Sequence, residues 1–157
     1  MKYYYGRGVD RDYAEAMKWL RLSAAKGNAG AEHGIGYMYQ KGLGVMQDYA
    51  EAMKWYRLAA EKGNMAAEDN IGVLYEHGYG VGQDYAEAMR WYLISAAKGN
   101  GEAELNIGNF YQHGLGVERD LNKAMKWLQS AASKGNAEAA QKIRAINGGS
   151  GQVAQHE

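Results

Sequence analysis

The side chains that could carry chemistry in this 157-residue chain are few, and nearly all recur at one interval. His77 and His113 stand 36 residues apart, and Lys41 occupies the place one interval before them. Two imidazoles can share a metal ion only with their nitrogens a few ångströms apart and further ligands beside them. Ser23, Ser95, Ser130 and Ser133 offer hydroxyls, but no histidine stands at a fixed offset to act as base. The carboxylates recur as Asp-x-x-Glu at Asp12/Glu15, Asp48/Glu51 and Asp84/Glu87, the spacing of a helix capping box, and as Asp120/Lys123 in a fourth copy. With no cysteine there is no disulfide framework, thiolate metal site or thiol nucleophile. No non-repeating cluster of acid, base and nucleophile stands out, so no catalytic, cofactor or metal site is expected.

The interval itself is the stronger signal. Trp19, Trp55, Trp91 and Trp127 are all the tryptophans, each 36 residues from the next. A register begun at Gly6, Gly42, Gly78 and Gly114 aligns Gly8/44/80/116, Val9/45/81/117, Asp12/48/84/120, Ala16/52/88/124 and Met17/53/89/125. Ala24/60/96/132, the Lys-Gly-Asn triplets at 26–28, 62–64, 98–100 and 134–136, Ala31/67/103/139 and Ile35/71/107/143 complete each copy without insertion or deletion. A fixed period of this length marks a stacked array whose units share one continuous core.

One unit, residues 42–77, shows the elements. Gly42-Leu43-Gly44-Val45 is a tight loop, followed by the cap Asp48. Tyr49, Ala52, Met53, Tyr56, Ala59 and Ala60 recur at three- and four-residue steps, predicting a helix from Tyr49 to Glu61. Lys62 suits the helix C-terminus and Gly63 a left-handed cap. Asn64 caps a second helix whose apolar face is Ala67, Ile71, Leu74 and Tyr75, ending at His77-Gly78. Helices this short are unstable alone in water, so stacking is obligatory. The tryptophans are expected to wedge between helices and the repeated methionines to fill the core. The glycine loops serve turns, since a phosphate-cradling loop needs a preceding strand. Stacked helices lie about 8–10 Å apart, which sets His77 and His113 too far apart to ligate one ion.

Composition excludes further classes. Eighteen basic and eighteen acidic residues cancel, with no basic stripe to hold a phosphate backbone, so nucleic acid is not an expected partner. The apolar runs fall far short of the roughly 20 residues that span a bilayer, so no membrane insertion is expected. A chain without thiols is compatible with cytoplasm and periplasm alike. Tyr3 aligns with Tyr39, so the first unit is truncated, and Gly148-Gly149-Ser150-Gly151 opens an expected flexible tail over 147–157.

The run Asp48-Tyr49-Ala50-Glu51-Ala52-Met53-Lys54-Trp55-Tyr56, continuing to Asn64, resembles one helix of a Sel1-like repeat. Ala67 to Val81, with its Gly78-Tyr79-Gly80-Val81 end, resembles the first helix and loop of that repeat. The run before it corresponds to the repeat's second helix, so the repeat's first helix is the later one in 42–77. The resemblance covers residues 3–146 as about four repeats, and the tetratricopeptide repeat is a relative with 34-residue units. Met46, Gly82, Glu118 and Asp10 stand where the family often has proline, and Arg144 replaces the helix glycine in the last copy. Gln141, Lys142 and Arg144 read as a polar cap there.

The resemblance implies an all-α fold: a right-handed α-solenoid of stacked antiparallel helix pairs with a 36-residue period and a concave face. It implies a non-catalytic scaffold that binds a protein or peptide. A cysteine-rich branch of the family has been associated with β-lactam binding or hydrolysis, but that branch staples its repeats with disulfides that this chain cannot form. By the same resemblance the first helix of each unit lines the concave face. The positions there that recur in place but vary in identity are His33, Tyr37, Gln40 and Lys41, then Asp69, Val73, Glu76 and His77, then Leu105, Asn109, Gln112 and His113. Their three- and four-residue steps put each set on one helix face. An alternative is head-to-tail self-association through Tyr3, Tyr4 and Tyr5, an end that lacks a polar cap.

Overall fold

Helix starts that the repeat reading assigned to an aspartate or asparagine have their caps in both halves of the chain. Asp12, Asp48 and Asp120 accept from the backbone N–H three residues on, each at 2.9 Å. Asn28 and Asn64 do the same at 2.9 Å. Gly42, Gly78 and Gly114 close the opposite ends in the left-handed region, at φ 66°, 70° and 71°. Between these signals the computed structural model, which describes residues 12–152, has no regular structure other than helix among the described residues.

The chain divides into two compact units, residues 1–84 and 85–157. The N-terminal unit holds α1 (Tyr13–Ala24), α2 (Ala29–Lys41), α3 (Tyr49–Glu61) and α4 (Met65–His77). The C-terminal unit holds α5 (Tyr85–Ala97), α6 (Gly101–His113), α7 (Leu121–Ser133) and α8 (Ala137–Gln152). Within each unit every helix packs on the next, α1 to α4 in one and α5 to α8 in the other. Short turns between packed neighbours make them antiparallel, the helix-pair stacking that the 36-residue period requires. The boundary expected at residue 147 falls inside α8, and the expected truncated first repeat's start, with Tyr3, Tyr4 and Tyr5, lies outside the described residues.

The core of the N-terminal unit gathers Met17, Leu20 and Ala24 from α1 with Ala31, Ile35 and Met38 from α2, and Trp55 packs half-buried against it. Tyr56, the residue after that tryptophan, is fully buried, as are Tyr92 and Leu128 at the equivalent places. The tryptophans are therefore not the deepest wedge: Trp19 is 50% exposed and the other three are half-buried. On a helix, consecutive residues point about 100° apart, so when Tyr56 faces the preceding helix its neighbour Trp55 points to the side. Gly36 makes that approach possible. A Cβ there would lie 2.6 Å from the Tyr56 ring, and one on Gly108 would lie 2.9 Å from Leu128.

The capping box closes by half only. The backbone N–H of Asp48, which the glutamate side chain was expected to take, instead donates to Tyr39 O at 3.0 Å, and that of Asp120 donates to Tyr111 O at 2.9 Å. The glutamate is left for its own helix: Trp19 Nε1 donates to Glu15 at 2.7 Å and Trp91 Nε1 to Glu87 at 3.0 Å. Each loop is tied down again by the side chain before the cap. Gln47 donates to Gln40 O and Gln83 to Glu76 O at 2.8 Å, and Arg119 donates to Gln112 O at 3.0 Å.

Gly80 combines two constraints in one loop: its φ is +69°, and a Cβ would sit 2.7 Å from Tyr49 Cβ. Gly82, two residues on, has nothing within 4 Å of its own Cβ position. Gly80→Ala should therefore destabilise the chain by about 2–4 kcal/mol, left-handed strain plus overpacking. Gly82→Ala should stay within about 0.5 kcal/mol of wild type. Urea denaturation of the two variants checks the pair, and equal midpoints would contradict this account of the loop.

Candidate interaction surface

The first helices of the repeat, α2 and α4 in one unit and α6 in the other, have a fixed side and a variable side. The fixed side carries Ala31/67/103, Glu32/68/104, Ile35/71/107 and Gly36/72/108, all buried. The variable side holds the positions expected to line a partner site, and the structure sorts them.

His33 is half-buried, with Asn70 Nδ2 2.9 Å from its Nε2 and the Tyr56 ring centroid 5.6 Å away. Burial holds its imidazole below the ordinary histidine range. Tyr37 is half-buried, with the Lys41 ammonium 5.8 Å from its ring centroid. Gln40 is 7% exposed, and its Oε1 accepts from the buried Tyr56 hydroxyl at 2.5 Å. A side chain so placed supports the core and offers little to a partner. Asp69, Val73 and Glu76 are half-buried along one side of α4. His77, at its end, is exposed, stacks on Tyr79 at 5.1 Å, and has Nδ1 3.1 Å from Val73 O.

In the C-terminal unit Leu105 is 3% exposed and belongs to the core with Leu128, Ala131 and Ala139. The ruler that places it beside His33 and Asp69 says nothing of its depth, so Leu105 lies off the accessible surface. Asn109 and Gln112 remain half-buried, and Asn109 Oδ1 and Gln112 Oε1 have no hydrogen-bond partner among the described residues. The structure thus groups His33, Tyr37, Asp69, Val73 and Glu76 in one unit, and Asn109 and Gln112 in the other.

Sequence reasoning missed the buried acids. Glu32, Glu68 and Glu104 are buried in equivalent places. Glu32 pairs with Lys62, and Glu104 accepts from Lys134 at 2.7 Å and from the Ser130 hydroxyl at 2.8 Å. The signal was present: a carboxylate next to Ala31, Ala67 and Ala103, and three residues before each Ile, falls on the inward face. A buried pair of this kind adds little net stability, because desolvation offsets the attraction, but an unpaired buried charge is costly. The lysine binds from the turn after the following helix, inside the same compact unit, so the pair fixes which turn sits over which helix.

Among solved structures, the chain is similar to a Sel1 repeat protein from Oxalobacter formigenes, at 40% identity and a TM-score of 0.84 over 90% of this chain and 58% of that one. It is similar to a protective antigen of uropathogenic Escherichia coli displaying an SLR fold, at 37% identity and a TM-score of 0.83 over 92% of this chain and 31% of that one. This chain therefore spans less than two thirds of either. Cysteine-rich protein B of Helicobacter pylori shares the fold, with 19% identity and a TM-score of 0.64 over 83% of this chain and 94% of that one. No curated protein sequence matches. The family model of the Sel1 repeat matches residues 3–28, 29–64, 66–100 and 101–136. The chain belongs to the Sel1 repeat family, and its helix pairs are Sel1 repeats. Among the described residues no helix is long and apolar enough to cross a membrane.

Two outcomes test these assignments. Lys134→Met strands a buried carboxylate and should cost about 3 kcal/mol, whereas Glu104→Gln leaves a lysine that can turn to solvent and should cost about 1 kcal/mol. Urea denaturation gives the order, and a larger loss for Glu104→Gln would reverse the reading. For His33 the folded value is depressed, so the unfolded chain takes up the proton first as the pH falls. Its contribution is fully present above the unfolded value of about 6.5 and is lost as the pH falls below that toward the folded value. Denaturation midpoints taken down this range should fall less steeply for His33→Gln than for wild type. Parallel slopes would exclude His33 as the source.

Proposed function

We propose that the chain is a non-catalytic scaffold that binds a protein or peptide segment through the variable side of its first helices. The observation that carries this reading is the contrast along one helix. Inward positions repeat almost without change, while His33/Asp69, Tyr37/Val73/Asn109 and Glu76/Gln112 differ from copy to copy. Packing fixes the first set and leaves the second free to encode a partner. Tyr37 supplies an aromatic anchor in the N-terminal unit. Asn109 and Gln112 add half-buried amides whose oxygens are buried, which leaves their NH2 groups to donate to a peptide carbonyl. In this reading the repeated carboxylates serve caps and ion pairs.

Panning a displayed peptide library against the chain tests the proposal. Enriched peptides should lose at least roughly tenfold in affinity for the Tyr37→Ala, Asn109→Ala, Gln112→Ala triple variant. The variant's helical circular dichroism and denaturation midpoint should stay near wild type. Unchanged affinity for every enriched peptide would remove this face from the function.

A further inference from the structure

The second helices of the N-terminal unit, α1 and α3, carry an exposed couple that lies outside the core and outside the candidate positions of the first helices. Arg21-Leu22 on α1 recurs 36 residues on as Arg57-Leu58 on α3. Leu22 is 50% exposed and Leu58 42%, and both arginines are exposed. Neighbouring cations on the same helices are already matched: Lys18 pairs with Glu15 and Lys54 with Glu51. The two arginines are held differently. Arg21 Nη2 donates to the Tyr39 hydroxyl at 3.0 Å and Arg57 Nη2 to the Tyr75 hydroxyl at 2.9 Å. No ion pair among the described residues includes either one.

A phenol accepts from one of the five guanidinium N–H groups and leaves the rest of the fork open. It also fixes the side chain, so less rotamer freedom is lost when a ligand is taken. A fixed fork beside an exposed aliphatic side chain suits a carboxylate followed by an apolar residue, because Arg–carboxylate pairing is bidentate and planar. We propose that the outward face of α1 and α3 docks an acidic segment of another protein. Arg21 and Arg57 take its carboxylates, and its aliphatic side chains cover Leu22 and Leu58. In the C-terminal unit the same places hold Leu93-Ile94 and Gln129-Ser130, so acid recognition is confined to the N-terminal unit. This surface is separate from the variable side of the first helices.

A fluorescein-labelled peptide alternating glutamate and leucine is the probe, with its lysine–leucine counterpart as control, read by anisotropy. The acidic peptide should bind, more weakly as salt rises, and the basic one should not. Arg21→Gln with Arg57→Gln should weaken binding at least roughly tenfold without changing the helical spectrum. Arg21→Lys with Arg57→Lys should weaken it less, since an ammonium keeps the charge but loses the fork. The Tyr37→Ala, Asn109→Ala, Gln112→Ala variant should bind as wild type does. The proposal is overturned by absent binding, by equal affinity of wild type and the double glutamine variant, or by equal loss in the triple variant, which moves the site to the first helices. Capture of the chain by phosphatidylserine vesicles without binding of the peptide overturns it as well, in favour of a lipid surface.

Discussion

The arrangement rests on how closely one helix can approach the backbone of the helix before it. Gly36 opens α2 so that the Tyr56 ring of α3 lies against its main chain, and Gly108 opens α6 to Leu128 of α7. A mid-helix glycine costs about 1 kcal/mol relative to alanine, so its presence signals a return from packing. Tyr56 is fully buried, and its hydroxyl would be stranded there without an acceptor. Gln40 provides one, and the carbonyl of Gln40 in turn holds Gln47 in the loop that leads to α3. One close contact therefore sets the helix spacing, recruits a buried amide and orders the connection between two repeats. In α8 the equivalent place is Arg144, an exposed residue, and no described helix follows to need the gap.

The period, the helices and their caps were legible because they depend on local chemistry. Tyr49–Glu61 spans the residues that its apolar steps mark, and Asn64 and Gly78 bracket the next helix as their types require. Depth was harder to read. Tyr56 lies on the stepped apolar face and Trp55 beside it, but that the tyrosine goes fully in follows from the space at Gly36, which the steps alone do not show. The same limit applies to the candidate surface. His33, Asp69 and Leu105 share one place in the register, yet the first two are half-buried and the third is core, because Leu105 meets Leu128, Ala131 and Ala139 within its unit. Gln40 was lost from the surface by a hydrogen bond formed 16 residues away in the sequence. The closing half of the capping box failed for a similar reason, since the N–H of Asp48 finds the carbonyl of Tyr39 from the preceding helix.

The buried acids show how a neutral chain can still use charge to specify itself. Glu32 and Glu104 each reach a lysine 30 residues on, in the turn after the next helix. Their second oxygens are buried without a partner among the described residues. An apolar pair of similar volume would pack there at no desolvation cost. What it would not do is penalise a shifted register. In an array whose copies are nearly identical, stacking one turn out of place would bury much the same apolar area. A carboxylate that must find its lysine raises the energy of that alternative and leaves the native stack favoured.

Fixing the stack in this way frees the remaining surface to diverge, and the two units have diverged differently. The first helices keep a constant inward side and vary outside it, from His33 and Tyr37 to Asn109 and Gln112. The second helices keep their inward alanines and methionines. Outside, they change from the tethered Arg21-Leu22 and Arg57-Leu58 to Leu93-Ile94 and Gln129-Ser130. The tether also depends on the stack. Tyr39 and Tyr75, which hold the guanidiniums, stand on the helices that follow α1 and α3. Each arginine is thus aimed by the packing of its own helix pair, and it keeps its geometry only while that pair stays in register. The constant residues and the variable ones are therefore linked: within each compact unit the first hold the helices on which the second are displayed, and the proposed surfaces depend on that packing.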